Sequence, residues 1–285
     1  MLWLLAAIVT ALSWGTGDLL TKKIVKQVGE LRLLLYFQLS ALLAFAPVAF
    51  IYMGARPSPG SLLLFAASGA FAGVGYLSLL KAFKEGNLSV VSPIAGAQGM
   101  TAAAIGVFLL GDQLSGLQSI AIAFTLIGVP LVSLRLHELV RKQVSLAAGV
   151  PYALVTVFCG GVSASLFSLA SESANCLAGI SVSLAVGVLA VSSYLALSKR
   201  KLFKPSALKG PARKTLLAAV LLNISAYLGY AYALSSQQVS LAYPIAMTCP
   251  AVTVALAFVF LRERLEPTQY LGVFLTLVGI VLVAV

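Results

Sequence analysis

Charge is scarce in this sequence. Only 9% of its 285 residues are Asp, Glu, Lys or Arg, where a soluble domain carries about a quarter. That leaves too little polar surface to face water, which excludes a soluble globular protein. Histidine occurs once, as His137, and cysteine three times, as Cys159, Cys176 and Cys249. Their separation provides no metal-ligand spacing and no CxxC, so no metal centre is expected and the cysteines read as small apolar residues. HExxH, paired acids at helical spacing and a GxS motif with a histidine are also missing. No enzyme and no cofactor are therefore expected.

What is abundant is apolar. Hydrophobic residues make up 60% of the chain, and the mean hydropathy is +1.03. Crossing ~30 Å of hydrocarbon takes about 20 helical residues, and breaks at charged or Gly/Pro-rich points divide the chain into ten such runs. They cover 2–21, 31–53, 60–83, 90–111, 116–135, 146–170, 176–198, 213–235, 240–262 and 267–285. No room is left for a soluble domain, so residues 1–285 are expected to form one all-α, polytopic transmembrane domain in a lipid bilayer. The opening "MLWLLAAIVTALSWG" lacks a basic n-region and a cleavage site, so it is expected to be a retained first helix. The net charge of +11 does not point to nucleic acid, because basic residues flanking spans are the ordinary topogenic signal.

The two halves resemble each other. Shifted by 151, "YLSLLKAFKEGNLSVVSPIAGAQG" from Tyr76 lies over "YLGYAYALSSQQVSLAYPIAMTCP" from Tyr227, and the register runs to residue 285 without a gap, with 16 identities over 59 positions. The pairs include Ser89/Ser240, Pro93/Pro244, Gln118/Gln269 and Gly128/Gly279. Residues 1–138 and 144–285 therefore read as two five-helix repeats. Five is odd, so the second copy must enter the membrane inverted. Charge gives the same answer independently: the loops after spans 1, 3, 5, 7 and 9, with their flanks, hold 18 of the 19 Lys and Arg, and the other face holds only Arg56. The positive-inside rule then puts both termini outside.

Ten helices in two inverted repeats, each ending in P-I-A…[D/E]-x-L-x-x-x-Q…G, resemble the EamA-type drug/metabolite transporter superfamily. The motif reads Pro93, Asp112, Leu114, Gln118, Gly128 in copy one and Pro244, Glu263, Leu265, Gln269, Gly279 in copy two. Copy one departs from the family's usual Glu at Asp112. The resemblance implies a central cavity lined by spans 1–4 and 6–9, with spans 5 and 10 peripheral, and alternating access by a small-molecule solute. The whole is read as a secondary transporter, an exporter, in a prokaryotic plasma (inner) membrane. A channel-like facilitator and a non-transporting scaffold or sensor are the alternatives.

Site residues follow from polarity within the spans. In inverted-repeat transporters the site lies beside helices broken by Pro or Gly. Span 4 carries Gly96, Gln98 and Gly99, and span 9 has Pro250 aligned on Gly99. Gly96, Gly99 and Pro250 are the candidate hinge, since Pro250 frees the carbonyl of Ala246; a kink that serves only packing is the alternative. Asn223, Tyr227 and Tyr230 share one face of span 8 at i, i+4 and i+7. Tyr76 is the repeat partner of Tyr227. Amides and phenols facing lipid are costly, so these residues, with Gln38, Gln98, Trp14 and Tyr152, are expected to line the cavity. The alternative for them is interhelical hydrogen bonding or core packing. Gly69 and Gly73 form a GxxxG expected to seat span 3 closely against a neighbour. Asp18 is expected mainly to pair with Lys22 at i+4 near the cytoplasmic face; the alternative is gating or proton coupling. Every Lys and Arg lies near a helix end, which argues against phosphorylated solutes and for a neutral, zwitterionic or aromatic one such as an amino acid.

Overall fold

The computed structural model describes residues 2–51, 57–86, 88–133, 149–172, 174–197, 210–261 and 267–284. Glu263 and Leu265 of the second motif, and the basic segments 135–142 and 199–209, lie outside them. Among the described residues there are helices and no strands. In chain order they are α1 (Leu2–Val28), α2 (Glu30–Ile51), α3 (Pro59–Glu85), α4 (Leu88–Gly96), α5 (Gln98–Ile105) and α6 (Gly116–Ser133), followed by α7 (Val150–Ser171), α8 (Cys176–Leu197), α9 (Pro211–Ser236), α10 (Val239–Ala246), α11 (Cys249–Leu261) and α12 (Pro267–Ala284). Six of them, α1, α2, α3, α7, α8 and α9, are each long and apolar enough to cross a membrane. Large apolar side chains such as Phe50, Phe108, Leu197 and Phe274 point outward. Water would leave such a surface unsolvated; lipid does not.

Helix ends follow local chemistry. α1 runs on past Lys22 and Lys23, seven residues beyond the expected end at 21, and stops at Gly29, whose φ of 86° ends the helix. α3 starts on Ser58, which accepts from the Ser61 amide as an N-cap with Pro59 behind it. The Q of the repeated motif has a similar task at α6. Gln118 Oε1 accepts from Ser115 N at 3.0 Å, and Gln118 N donates to Ser115 Oγ at 3.2 Å, a reciprocal capping box.

Spans 4 and 9 are each cut in two. α4 gives way to α5 at Ala97, and α10 to α11 at Met247–Thr248. Ala97 and Thr248 are 151 positions apart. Gly96 and Gly99 flank the first break. Pro250 is not at the second break itself but in the first turn of α11, where a proline's missing donor costs little; the chain turns just ahead of it. The two broken helices meet: a Cβ at Gly99 would lie 3.0 Å from Pro244 Cα. α5 closes in a π-helical turn, Gly106–Leu110, and Gly111 at φ 77° leads to Asp112. Asp112 Oδ2 accepts from Ser240 N at 3.0 Å and from Ser240 Oγ, capping the start of α10 from the other half of the chain.

Helices of the first half pack mainly on those of the second: α1 on α9, α3 on α7, α2 on α8, α6 on α12 and α5 on α10. Contacts recur in pairs. Gly128 faces Gly272 O and Thr276, and Gly279 faces Ala121 O and Thr125; Gly279, Gly272 and Thr276 lie 151 beyond Gly128, Ala121 and Thr125 respectively. The GxxxG partner is α8. A Cβ at Gly69 would lie 2.3 Å from Ser183 O, and Gly73 lies against Gly187. Two apolar clusters result, one around Phe65, Phe167 and Tyr230, the other around Phe37, Phe83 and Leu80.

Candidate functional site

Between these clusters lies a cavity of about 110 Å³, large enough for a small organic solute, given roughly 10–15 Å³ per water-sized probe. α1 lines it with Trp14 and Asp18, α2 with Gln38, α3 with Ser68, Gly75 and Tyr76, and α5 with Gln98. From the second half come Thr156, Gly160, Ser163 and Phe167 of α7, Ile180, Ser183 and Leu184 of α8, and Tyr227 and Tyr230 of α9. Tyr243, Met247 and Cys249 at the α10–α11 break add to the wall, as do Ala72 and Leu79 of α3. The wall is mostly apolar with a few convergent polar groups, the usual make-up of a small-molecule site.

The rings form a connected set. Trp14 meets Tyr227 edge-on at 5.9 Å between centroids and Tyr230 at 5.8 Å. Tyr230 touches Phe167 at 5.3 Å and Tyr243 at 6.0 Å. Such pairs hold one another in place by offset and edge contacts. Tyr243 OH donates to Gln98 Oε1 at 2.8 Å, tying the α10–α11 break to the α4–α5 break. Asn223 Nδ2 donates to Tyr76 OH at 2.9 Å, which fixes the phenol from behind. Serines join the helices: Ser68 and Ser163 exchange hydroxyl-to-carbonyl bonds at 2.9 Å in both directions, and Ser183 Oγ donates to Phe65 O at 2.9 Å.

Of the residues expected to line a cavity, Trp14, Gln38, Tyr76, Gln98, Tyr227 and Tyr230 do face this one. Asn223 does not line it and acts through Tyr76 instead. Tyr152 is displaced from the expectation. It packs against the Phe83 cluster, with Lys81 Nζ over its ring at 5.5 Å. An aromatic near a helix end finds its partner in that interfacial ammonium. Gly96 lies at a separate small void beside Pro244 and Met247, Gly99 packs on Pro244, and Pro250 is buried in α11.

The Asp18–Lys22 pair expected from spacing is not formed. Lys22 Nζ donates instead to Phe83 O and Gly86 O, at the C-terminal end of α3. The last carbonyls of a helix lack intrahelical partners and attract cations, and they draw the ammonium away from its own helix. Asp18 is left facing the cavity. An ion pair does form nearby, between Lys84 and Glu30, at 2.9 Å.

Residues not anticipated from the sequence are Tyr243, Met247, Thr156, Gly160 and the serines of α3, α7 and α8. Hydroxyls inside apolar spans were a usable signal, since lipid leaves them unsatisfied. Tyr243 offered less, because its repeat partner is Ser92.

Three comparisons bear on this arrangement. The family model described as "EamA-like transporter family" matches residues 1–134 and 147–285. An uncharacterised protein of Methanocaldococcus jannaschii is 39% identical over 70 residues, which are 25% of this chain and 50% of that protein; the match spans half the length of that relative. A crystal structure aligns with a TM-score of 0.71 over 98% of this chain and 95% of its own, at 15% identity, a likeness of fold alone.

Proposed function

The chain belongs to the EamA-like transporter family, part of the drug/metabolite transporter superfamily, and on that premise we propose that it is a secondary transporter of a small organic solute, working by alternating access. The observation that carries this is the cavity where two interrupted helices, α4–α5 and α10–α11, meet around Gln98 and Tyr243. Broken helices at depth are tolerated in membranes where they line a cavity, and they give two short rods that can tilt separately. We assign the ten spans to two inverted repeats, supported by the recurrence of the Gly128–Thr276 and Gly279–Thr125 contacts. Both termini are assigned to the outside of a prokaryotic inner membrane, from the charge split, with export as the direction. Asp18 is assigned a coupling role, supported by its place on the cavity wall away from Lys22.

The test is counterflow. Liposomes holding the purified protein and preloaded with unlabelled solute should accumulate external label transiently, with saturation, across a library of amino acids, amines, alcohols and organic acids. Linear, non-saturating flux would identify a facilitating channel, and no flux of any solute would end the transport proposal. A cytoplasm-active reporter after Val285 should be silent, and one at Lys204 active; the reverse would turn the molecule over. Asp18→Asn should abolish any pH dependence of the rate.

A further inference from the structure

The wall of the cavity carries one sign of charge. Among the described residues that line it, Asp18 is the one formally charged side chain. No ion pair or hydrogen bond to a described residue engages its carboxylate, and Lys22 one turn on is occupied with the carbonyls of Phe83 and Gly86. A carboxylate withdrawn from water without a counter-charge is unfavourable, so Asp18 is ionised only with a cation beside it, and the site has a place for one positive charge, a proton or a bound cation. Trp14 lies one turn from Asp18 on the same helix, and its ring joins those of Tyr227 and Tyr230 at 5.9 and 5.8 Å. Aromatic faces attract a cation within about 6 Å of the ring, and tryptophan does so best. Nothing on the described wall would neutralise an anion: it bears no lysine or arginine.

Resting on the transport reading above, we propose that the solute is an organic cation, a small amine with an aromatic or apolar body, whose ammonium is held between the Asp18 carboxylate and the Trp14, Tyr227 and Tyr230 rings. The carboxylate supplies a charge-assisted hydrogen bond, the rings supply cation–π attraction, and the apolar body fills the space toward Phe167 and Met247. This narrows the substrate class that the sequence alone left as neutral, zwitterionic or aromatic. An amino acid would bring a second, anionic group for which the described wall offers no cationic partner.

Four probes of similar shape separate the charges: 2-phenylethylamine, phenylalanine, 2-phenylethanol and 3-phenylpropanoate. In a Trp3→Phe background Trp14 is the only tryptophan, so its emission reports directly on the cavity. The amine should quench it saturably, with an affinity at least tenfold higher than the alcohol or the amino acid, and the acid should not saturate. Asp18→Asn should erase the amine's advantage while leaving the alcohol's affinity unchanged, and Asp18→Glu should restore part of it. The charge series on the unmodified site needs no variant at Asp18 to fold. Equal affinity for amine and alcohol, preference for the amino acid or the acid, full amine binding in folded Asp18→Asn, or no binding by any probe would each overturn the proposal. In the counterflow assay the two readings fail differently. Loss of flux for every solute ends the transport reading, whereas flux of neutral or anionic solutes with cations excluded ends only this one.

Discussion

Helices α1 and α7 do the same mechanical work with different chemistry. Thr10 Oγ1 of α1 donates to Ala226 O of α9 at 3.2 Å, and Thr156 Oγ1 of α7 donates to Gly75 O of α3 at 3.0 Å; the two acceptors are 151 residues apart. Gly15 admits α11, with Cys249 O 2.6 Å from where its Cβ would be, and Gly161 admits α5, with Thr101 Cβ at 2.4 Å. Those equivalences, Thr10 with Thr156 and Gly15 with Gly161, set Trp14 against Gly160 and Asp18 against Ala164. One copy puts a ring and a carboxylate into the cavity wall; the other is small and neutral there. The packing skeleton recurs, while the Trp14 ring and the Asp18 carboxylate have no counterpart at the equivalent positions of α7.

The strongest test of the shared frame is to fill its close approaches. Gly15→Leu and Gly161→Leu each force a side chain into space already held by α11 or α5. Overpacking costs about 1–3 kcal/mol or more where backbone must move. Both variants should lose most monodisperse protein in size-exclusion chromatography, and any that survives should melt earlier. Tolerance at one glycine and not the other would break the equivalence.

Changes on the wall or directly behind it should leave folding nearly intact and reduce function. In Gly160→Ala the new methyl would sit 1.8 Å from Gln98 Oε1 and push that amide off the Tyr243 hydroxyl. Asn223→Ala releases the Tyr76 phenol. Each loses one placed polar contact, worth about 1–3 kcal/mol, or roughly a tenfold fall in solute affinity in the counterflow assay. Tyr227→Phe should fall in the same range if its hydroxyl meets solute. Wild-type affinity in both Gly160→Ala and Asn223→Ala would move the site elsewhere.

Smaller effects sharpen the comparison further. Thr10→Val and Thr156→Val each remove one interhelical hydrogen bond, typically about 0.6 kcal/mol in membranes, and should lower thermal stability by similar small amounts. Tyr270→Phe, on the outward side of α12 where Tyr270 is half exposed, should alter neither stability nor transport.

Much of this was legible in the sequence because lipid penalises unsatisfied polarity. Gln38, Tyr76, Gln98, Tyr227 and Tyr230 had to face inward, and they do. The breaks were legible from Gly96, Gly99 and Pro250, but their positions shifted, since a proline is accommodated in the turn after a break rather than at it. What misled was proximity along the chain. Asp18 and Lys22 share a helix face, yet the free carbonyls that end α3 come from another helix, and spacing within α1 cannot register them. Tyr152 likewise met Lys81 of α3. The single-copy features, Trp14, Asp18 and Tyr243, were hard to weigh because comparison of the repeats draws attention to what the halves share.

The crossed pairing of the helices sets a schedule for biosynthesis. The acceptor of Thr10 in α9 is 216 residues downstream, and Thr253, which donates to Gly15 O, is 238 downstream. At ~5–20 residues per second, α1 is in the membrane for roughly ten to forty-five seconds before the helices that cover it exist. Thr10 can wait, because its hydroxyl also donates to Ala6 O of its own helix at 2.9 Å. Asp18 and Lys22 can wait as well, one turn apart, each the nearest countercharge to the other in the nascent helix. The acceptors of Lys22 arrive with α3, 61 and 64 residues later, and from then on the carboxylate is without its temporary companion. The ion pair absent from the finished protein is thus within reach of the unfinished one, before the carbonyls of Phe83 and Gly86 exist to engage Lys22.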